Sequence, residues 1–148
     1  MTIFSLIMLP LGYSNEKVLL ILMASMLSFI PDIDVQLELR HRTYTHNILA
    51  GILVGLGIGT LFYSIRTDYF FLGFLSGFGG VMSHIMGDII AGQKPDGSPW
   101  KLKVLWPFSN REIGLGIVKS SNKEVNRGLL YMGIIAFVLY ILITQGLL

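Results

Sequence analysis

The chain has 148 residues, of which 53% are hydrophobic and 14% charged, a balance that excludes an ordinary soluble globule and fits one membrane-embedded domain. Its formal charge of +2 resides in loops and forms no stripe along a helix, which excludes a nucleic-acid partner. It has no cysteine, so disulfides and thiolate ligands are excluded and any bound metal must take nitrogen and oxygen donors.

Residues 1–11 are apolar and lack the basic leader and small-residue cleavage pattern of a signal peptide, so mature protein is expected from Met1 onward. A polar break at 13–17 offers Ser14 as a helix N-cap, and a second apolar run, 18–30, leads to Pro31. Neither run reaches the roughly 20 residues that cross a hydrocarbon core. A helical hairpin, or one spanning helix with a short interfacial partner, would each fit.

The motif PDID follows, with Asp32 and Asp34 expected on an extended turn in which residues two apart point the same way. HRTYTH then supplies His41, Arg42 and His46, with Thr43 or Thr45 available to cap the next helix. Residues 46–65 and 69–90 are each long enough to span. Only Arg66, Thr67 and Asp68 separate them, which requires an antiparallel hairpin. Gly51, Gly55 and Gly59 fall on one face of the first helix, and Gly73 and Gly77 do the same on the second, so the two backbones are expected to approach closely. The second helix ends in SHIMGD, whose His84 and Asp88 are four apart and project from one face.

Residues 91–120 form the one long polar stretch. Gly92, Pro95, Gly97, Pro99 and Pro107 break any helix there, and Trp100, Trp106 and Phe108 make it amphipathic, so it is expected at the membrane interface. Ser121 and Glu124 read as a capping box before a final spanning run, 129–148. The expected fold is all-α: a small polytopic membrane helix bundle of about four to five helices with a polar interfacial loop. Nine of the Lys and Arg residues lie with PDID, HRTYTH and the loop, and only Lys17 and Arg66 lie opposite. The positive-inside rule therefore orients these motifs to the cytoplasm, in a multi-pass protein of the plasma membrane.

Ionisable groups at membrane depth cost several kcal/mol each, roughly, which makes them markers of function. Three helix ends deliver histidine or aspartate to one side, and all three histidines of the chain are among them. Mixed His and Asp donors suit zinc, and also manganese or ferrous iron. A metal so held would support hydrolysis. Asp32 and Asp34 are the carboxylates that could bind it or handle the proton of an attacking water. Arg42 is suited to grip a phosphate by paired hydrogen bonds.

The order PDID, HRTYTHN, SHIMGDII and then a Gly- and Pro-rich loop ending in LWPF and an arginine resembles the YdjM-like family of inner-membrane metal-dependent hydrolases, some of them LexA-regulated. The resemblance covers residues 27–111. It implies a divalent metal, zinc first among the candidates, held by Asp32, Asp34, His46, His84 and Asp88. It places His41 and Arg42 close by and suggests distant kinship with the zinc-dependent phospholipase C fold; the residues expected to carry the chemistry are Asp34, His41 and Arg42. Members usually carry a histidine near the start of the first helix; this chain has none before His41.

The leading expectation is a membrane-bound hydrolase that uses a metal to cleave a phosphoester of a lipid or amphiphile. A second is a membrane protein that binds metal or a partner without catalysis. A third is a type-2 phosphatidic acid phosphatase, whose last motif HIMGDIIAG resembles, although the PSGH motif of those enzymes is missing here.

Overall fold

The structure is a computed structural model that describes residues 14–36, 44–119 and 121–147. Among these residues it is all-helical, with four main helices: α1 (Asn15–Leu27), α2 (Ile48–Ile65), α3 (Phe70–Ala91) and α4 (Lys123–Thr144). Three helical segments, Ile48–Ile65, Thr67–Ala91 and Lys123–Thr144, are long and apolar enough to cross a membrane. The apolar run 1–11 lies outside the described residues, as do His41, Arg42 and Thr43.

Ser14 caps α1 as expected, its hydroxyl accepting from the Lys17 amide at 3.2 Å. At 13 residues, and about 1.5 Å of rise per residue, α1 is too short to span alone. It ends before Pro31. Ser28 bonds back to the Ser25 carbonyl at 2.7 Å, and the chain then enters a 3-10 turn, Ile30–Asp32, with the proline in its first turn. Ile33–Gln36 adds one helical turn. The expected extended turn is therefore replaced by a wound one. In helical backbone, side chains two apart diverge by roughly 200°, so Asp32 and Asp34 do not share a direction. Asp32 is exposed and Asp34 is buried.

The α2–α3 hairpin forms as read, with a 3-10 turn at Thr67–Tyr69. Gly51, Gly55 and Gly59 are the buried positions of α2, and Gly73, Ser76, Gly77, Gly80, Val81 and Ile85 those of α3. A Cβ at Gly73 would lie 2.7 Å from the Ile58 carbonyl oxygen. Only glycine permits that approach. On its other side α3 takes α1, running parallel to it: Ala24 and Leu27 pack at Gly80, while Ser14 and Lys17 share a cleft with Arg66, Asp68 and Tyr69 at the far end. The C-terminal ends of α1 and α3 and the N-terminal end of α2 thus meet on one side.

Two helix starts differ from expectation. α2 is capped by Asn47, whose Oδ1 accepts from the Ala50 amide at 2.8 Å, so His46 sits just ahead of the helix. α4 is capped by Asn122, which accepts from the amides of Glu124 and Val125. In both cases an asparagine beside the expected Thr or Ser is placed to reach the free amides of the first turn. α4 ends at Thr144 rather than at the chain end. Gly146 at φ 70° lets Gly146 N and Leu147 N donate to the carbonyls of Ile143 and Leu142, which closes the helix.

The polar stretch after α3 has no helix among its described residues and is held by isolated bridges, Gln93 to Pro99, Gln93 to Lys119 and Leu102 to Ile113. It is tied down at several points. Leu115 N and Ile117 N donate to the carbonyls of Ile89 and Ile90 in the last turn of α3, and Val104 O accepts from Ile48 N at the start of α2. Buried Leu102 and Val104 pack with Val81 and Ile85 in the core beneath the helix ends. In its first turn Ser98 donates two hydrogen bonds to Asp96, which hold that carboxyl below the usual range.

Candidate metal centre

Four side chains converge where α1, α2 and α3 meet. Asp32 arrives from the turn after α1, His46 from the residue before the α2 cap, and His84 and Asp88 from the last two turns of α3. His46 Nε2 lies 3.7 Å from Asp32 Oδ1 and 3.5 Å from Asp88 Oδ2. His84 Nε2 lies 3.4 Å from the same Asp32 oxygen and 3.9 Å from the same Asp88 oxygen. Imidazole and carboxylate alternate around a small ring.

The lengths carry information. Hydrogen bonds from nitrogen to oxygen run about 2.7–3.2 Å, and every edge of this ring is longer. Metal bonds of about 2.1 Å place tetrahedral ligands roughly 3.4 Å from one another. The edges fit a metal-sized gap better than a hydrogen-bonded cluster. Asp32, His46 and His84 each offer one ligand atom, all within 4.8 Å of one another. Nε2 of His84 is buried and has no hydrogen-bond partner among the described residues, a condition that costs about 1–3 kcal/mol when nothing else binds the atom.

Asp34 takes a different place. Its Oδ2 lies 3.5 Å from Nδ1 of His46, on the opposite side of the ring from the cluster, and both side chains are fully buried. Thr45 stands between them: its hydroxyl donates to Asp34 Oδ2 at 2.7 Å and lies 2.9 Å from His46 Nδ1. A hydroxyl has one proton to give. Once it is given to the carboxylate, the hydroxyl oxygen accepts from Nδ1–H, and Nε2 of neutral His46 then turns a lone pair to the cluster. This is the arrangement in which a carboxylate orients a metal-binding histidine.

The model of the YdjM inner membrane protein family matches residues 1–146. The chain belongs to that family. Neither a curated protein nor a solved structure matches it.

Of the site residues read from this YdjM-family sequence, Asp32, His46, His84 and Asp88 come together directly and Asp34 meets the cluster through His46. His41 and Arg42 lie outside the described residues. Thr45 went unrecognised as a site residue because a threonine before a helix reads first as a cap. The signal was Asn47, a stronger cap two residues on, which leaves the threonine hydroxyl for other use. Around the cluster, the rings of His46 and His84 meet edge to face at 5.2 Å, and Tyr44 packs against Trp106 at the same centroid distance. The polar loop therefore borders the site.

Proposed function

We propose that this chain is a membrane-embedded metal-dependent hydrolase acting on a phosphoester of a lipid or amphiphile at the cytoplasmic face. The single observation that carries the reading is the ring of two imidazole nitrogens and two carboxylate oxygens at 3.4–3.9 Å. Asp32, His46, His84 and Asp88 would hold a divalent ion, with zinc, manganese and ferrous iron all compatible with these donors. When bound, such an ion polarises a phosphoryl oxygen and eases deprotonation of water near neutral pH.

The remaining chemistry belongs to the chain. Asp34 and Thr45 hold His46 in one tautomer and one orientation. Asp32 is the most exposed of the carboxylates, 55% accessible against 0% for Asp34 and 19% for Asp88. Asp32 is therefore the carboxylate a solvent water reaches: its Oδ1 faces the two imidazoles, and its other oxygen takes the proton as the water oxygen bonds to phosphorus and returns it to the leaving alkoxide as the ester P–O bond breaks. Asp34, expected from the sequence as a ligand and a catalytic residue, is assigned instead to positioning. Arg42 stands four residues ahead of His46 in sequence and would grip the phosphate. The basic residues gathered on the site side of the bundle support the cytoplasmic orientation.

A histidine-nucleophile phosphatase is a poorer fit. Those enzymes pair one aspartate with one nucleophilic histidine and carry a PSGH motif, whereas here Asp88 lies against two imidazoles, His46 and His84, and the motif is missing. The test is elemental analysis of detergent-purified protein together with phosphoester hydrolysis in mixed micelles. Wild type is expected to retain a stoichiometric transition metal and to lose activity to chelators. The His84→Ala, Asp88→Ala double variant is expected to retain none. Equal metal in both, or activity that survives complete metal removal, defeats the proposal. Bound metal without activity on any phosphoester would leave a metal-binding protein.

A further inference from the structure

Residues 100–117 form an arm that is folded on one side and bare on the other. Leu102 and Val104 are buried, and paired bonds of 2.9 Å between Leu102 and Ile113 hold the two limbs together. The outward side carries Leu105 (44% exposed), Phe108 (87%), Leu115 (62%) and Ile117 (65%). Surface this apolar, outside any spanning helix, needs a partner.

Its position restricts the choice. Leu115 and Ile117 donate backbone bonds to Ile89 and Ile90, in the last turn of the span Thr67–Ala91. Their exposed side chains therefore sit at the depth where that helix leaves the hydrocarbon. Charge restricts it further. Residues 91–120 hold five basic groups (Lys94, Lys101, Lys103, Arg111, Lys119) and two acidic ones (Asp96, Glu112), a balance of 5 − 2 = +3 that exceeds the +2 of the whole chain. Apolar side chains at the hydrocarbon boundary interspersed with Lys and Arg match a surface of anionic headgroups over acyl chains.

We propose that the arm 100–117 is a leaflet anchor for anionic phospholipid, with Phe108, Leu105, Leu115 and Ile117 in the upper acyl region and Lys101, Lys103 and Arg111 on headgroup phosphates. Because Trp106 of the arm packs on Tyr44, two residues before His46, the anchor gathers anionic lipid on the side of the bundle that carries the His and Asp cluster. The proposal does not depend on what that cluster does.

The chain has no cysteine, so Phe108→Cys accepts a single environment-sensitive fluorophore at a position that makes almost no packing contact. The full chain is reconstituted in bilayers containing equal amounts of phosphatidylglycerol and phosphatidylcholine, with a shallow acyl nitroxide on one lipid or the other. The label is expected to be shielded from aqueous iodide and to be quenched at least about twofold more by the nitroxide on the anionic lipid. Lys101→Gln, Lys103→Gln and Arg111→Gln together should equalise the two lipids while the label stays shielded. Iodide quenching, or equal quenching by both lipids in the protein with its charges intact, overturns the proposal. So does lipid quenching that falls as the protein-to-lipid ratio rises, which would assign the face to a second copy of the chain. An unchanged melting temperature in the triple variant separates loss of headgroup selectivity from loss of fold.

Discussion

Along α3, residues 70–78 and residues 80–91 meet their neighbours in different ways. In the first half, Phe70, Phe74 and Phe78 stack along the helix, with centroid separations of 6.3 and 5.8 Å. They lie over Gly59, Gly55 and Gly51 of α2. The contact consists of dispersion and of side chains left out, which suits association in lipid, where no hydrophobic driving force separates one apolar surface from another. In the second half, Gly80 brings in α1, and His84 and Asp88 face Asp32 and His46 across distances too long for hydrogen bonds. One half is complete as an apolar packing unit. The other gathers two imidazoles and two carboxylates, among them the Asp32, His46 and His84 atoms that could hold a metal ion. The same helix thus separates apolar packing from the polar cluster along its length.

Removing a carboxylate from the polar half is the strongest way to test this division. Asp32→Asn keeps the shape and removes the charge, and hydrolysis is expected to fall by roughly 10²- to 10⁴-fold. Because Asp32 would also be a ligand, metal content should fall too, and added metal should restore occupancy but not the rate. Asp34→Asn acts through His46, so metal affinity is expected to fall about 10- to 100-fold, with activity returning at saturating metal. Metal titrations followed by rate measurements distinguish the two, and rescue of Asp32→Asn but not Asp34→Asn would reverse the assigned roles.

Glycine replacements test the division at equal steric cost. A Cβ at Gly73 would meet the Ile58 carbonyl oxygen and a Cβ at Gly80 the Ala24 carbonyl oxygen, each at 2.7 Å. Both Gly73→Val and Gly80→Val are expected to destabilise the protein by about 1–3 kcal/mol, read as lower melting temperatures in detergent. Only Gly80→Val should also release metal from the protein that stays folded, because it displaces the helix that delivers Asp32. Metal loss in both would mean that the halves are not independent. The smallest effect is expected at Gly57, where an added Cβ meets nothing within 4 Å. Gly57→Ala should raise stability by up to about 1 kcal/mol through helix propensity and leave metal content unchanged.

The spans 46–65 and 69–90, their antiparallel joining and the glycine faces were legible in the sequence, since each rests on local patterning. So was the set of acidic and histidine residues at the helix ends, because ionisable groups in so apolar a chain stand out. Ser14 was legible as a cap outright, the other two caps only to within a residue or two: Thr45 and Asn47, like Ser121 and Asn122, compete for the same amides, and neighbouring geometry decides between them.

Composition and hydropathy periodicity, which depend only on residue order, determined that this is an all-α membrane protein with a His and Asp cluster at one end. The division of labour within that cluster was decided by tertiary structure. PDID winds into helical turns, which sends Asp32 to the Nε2 side of His46 and Asp34 to the Nδ1 side, and Thr45 is drawn into the contact because Asn47 has taken the cap. Which nitrogen of a buried imidazole a carboxylate meets depends on where three separate helices end relative to one another, and that relation is set by the close approach at Gly73 and Gly80 rather than by any local stretch of sequence.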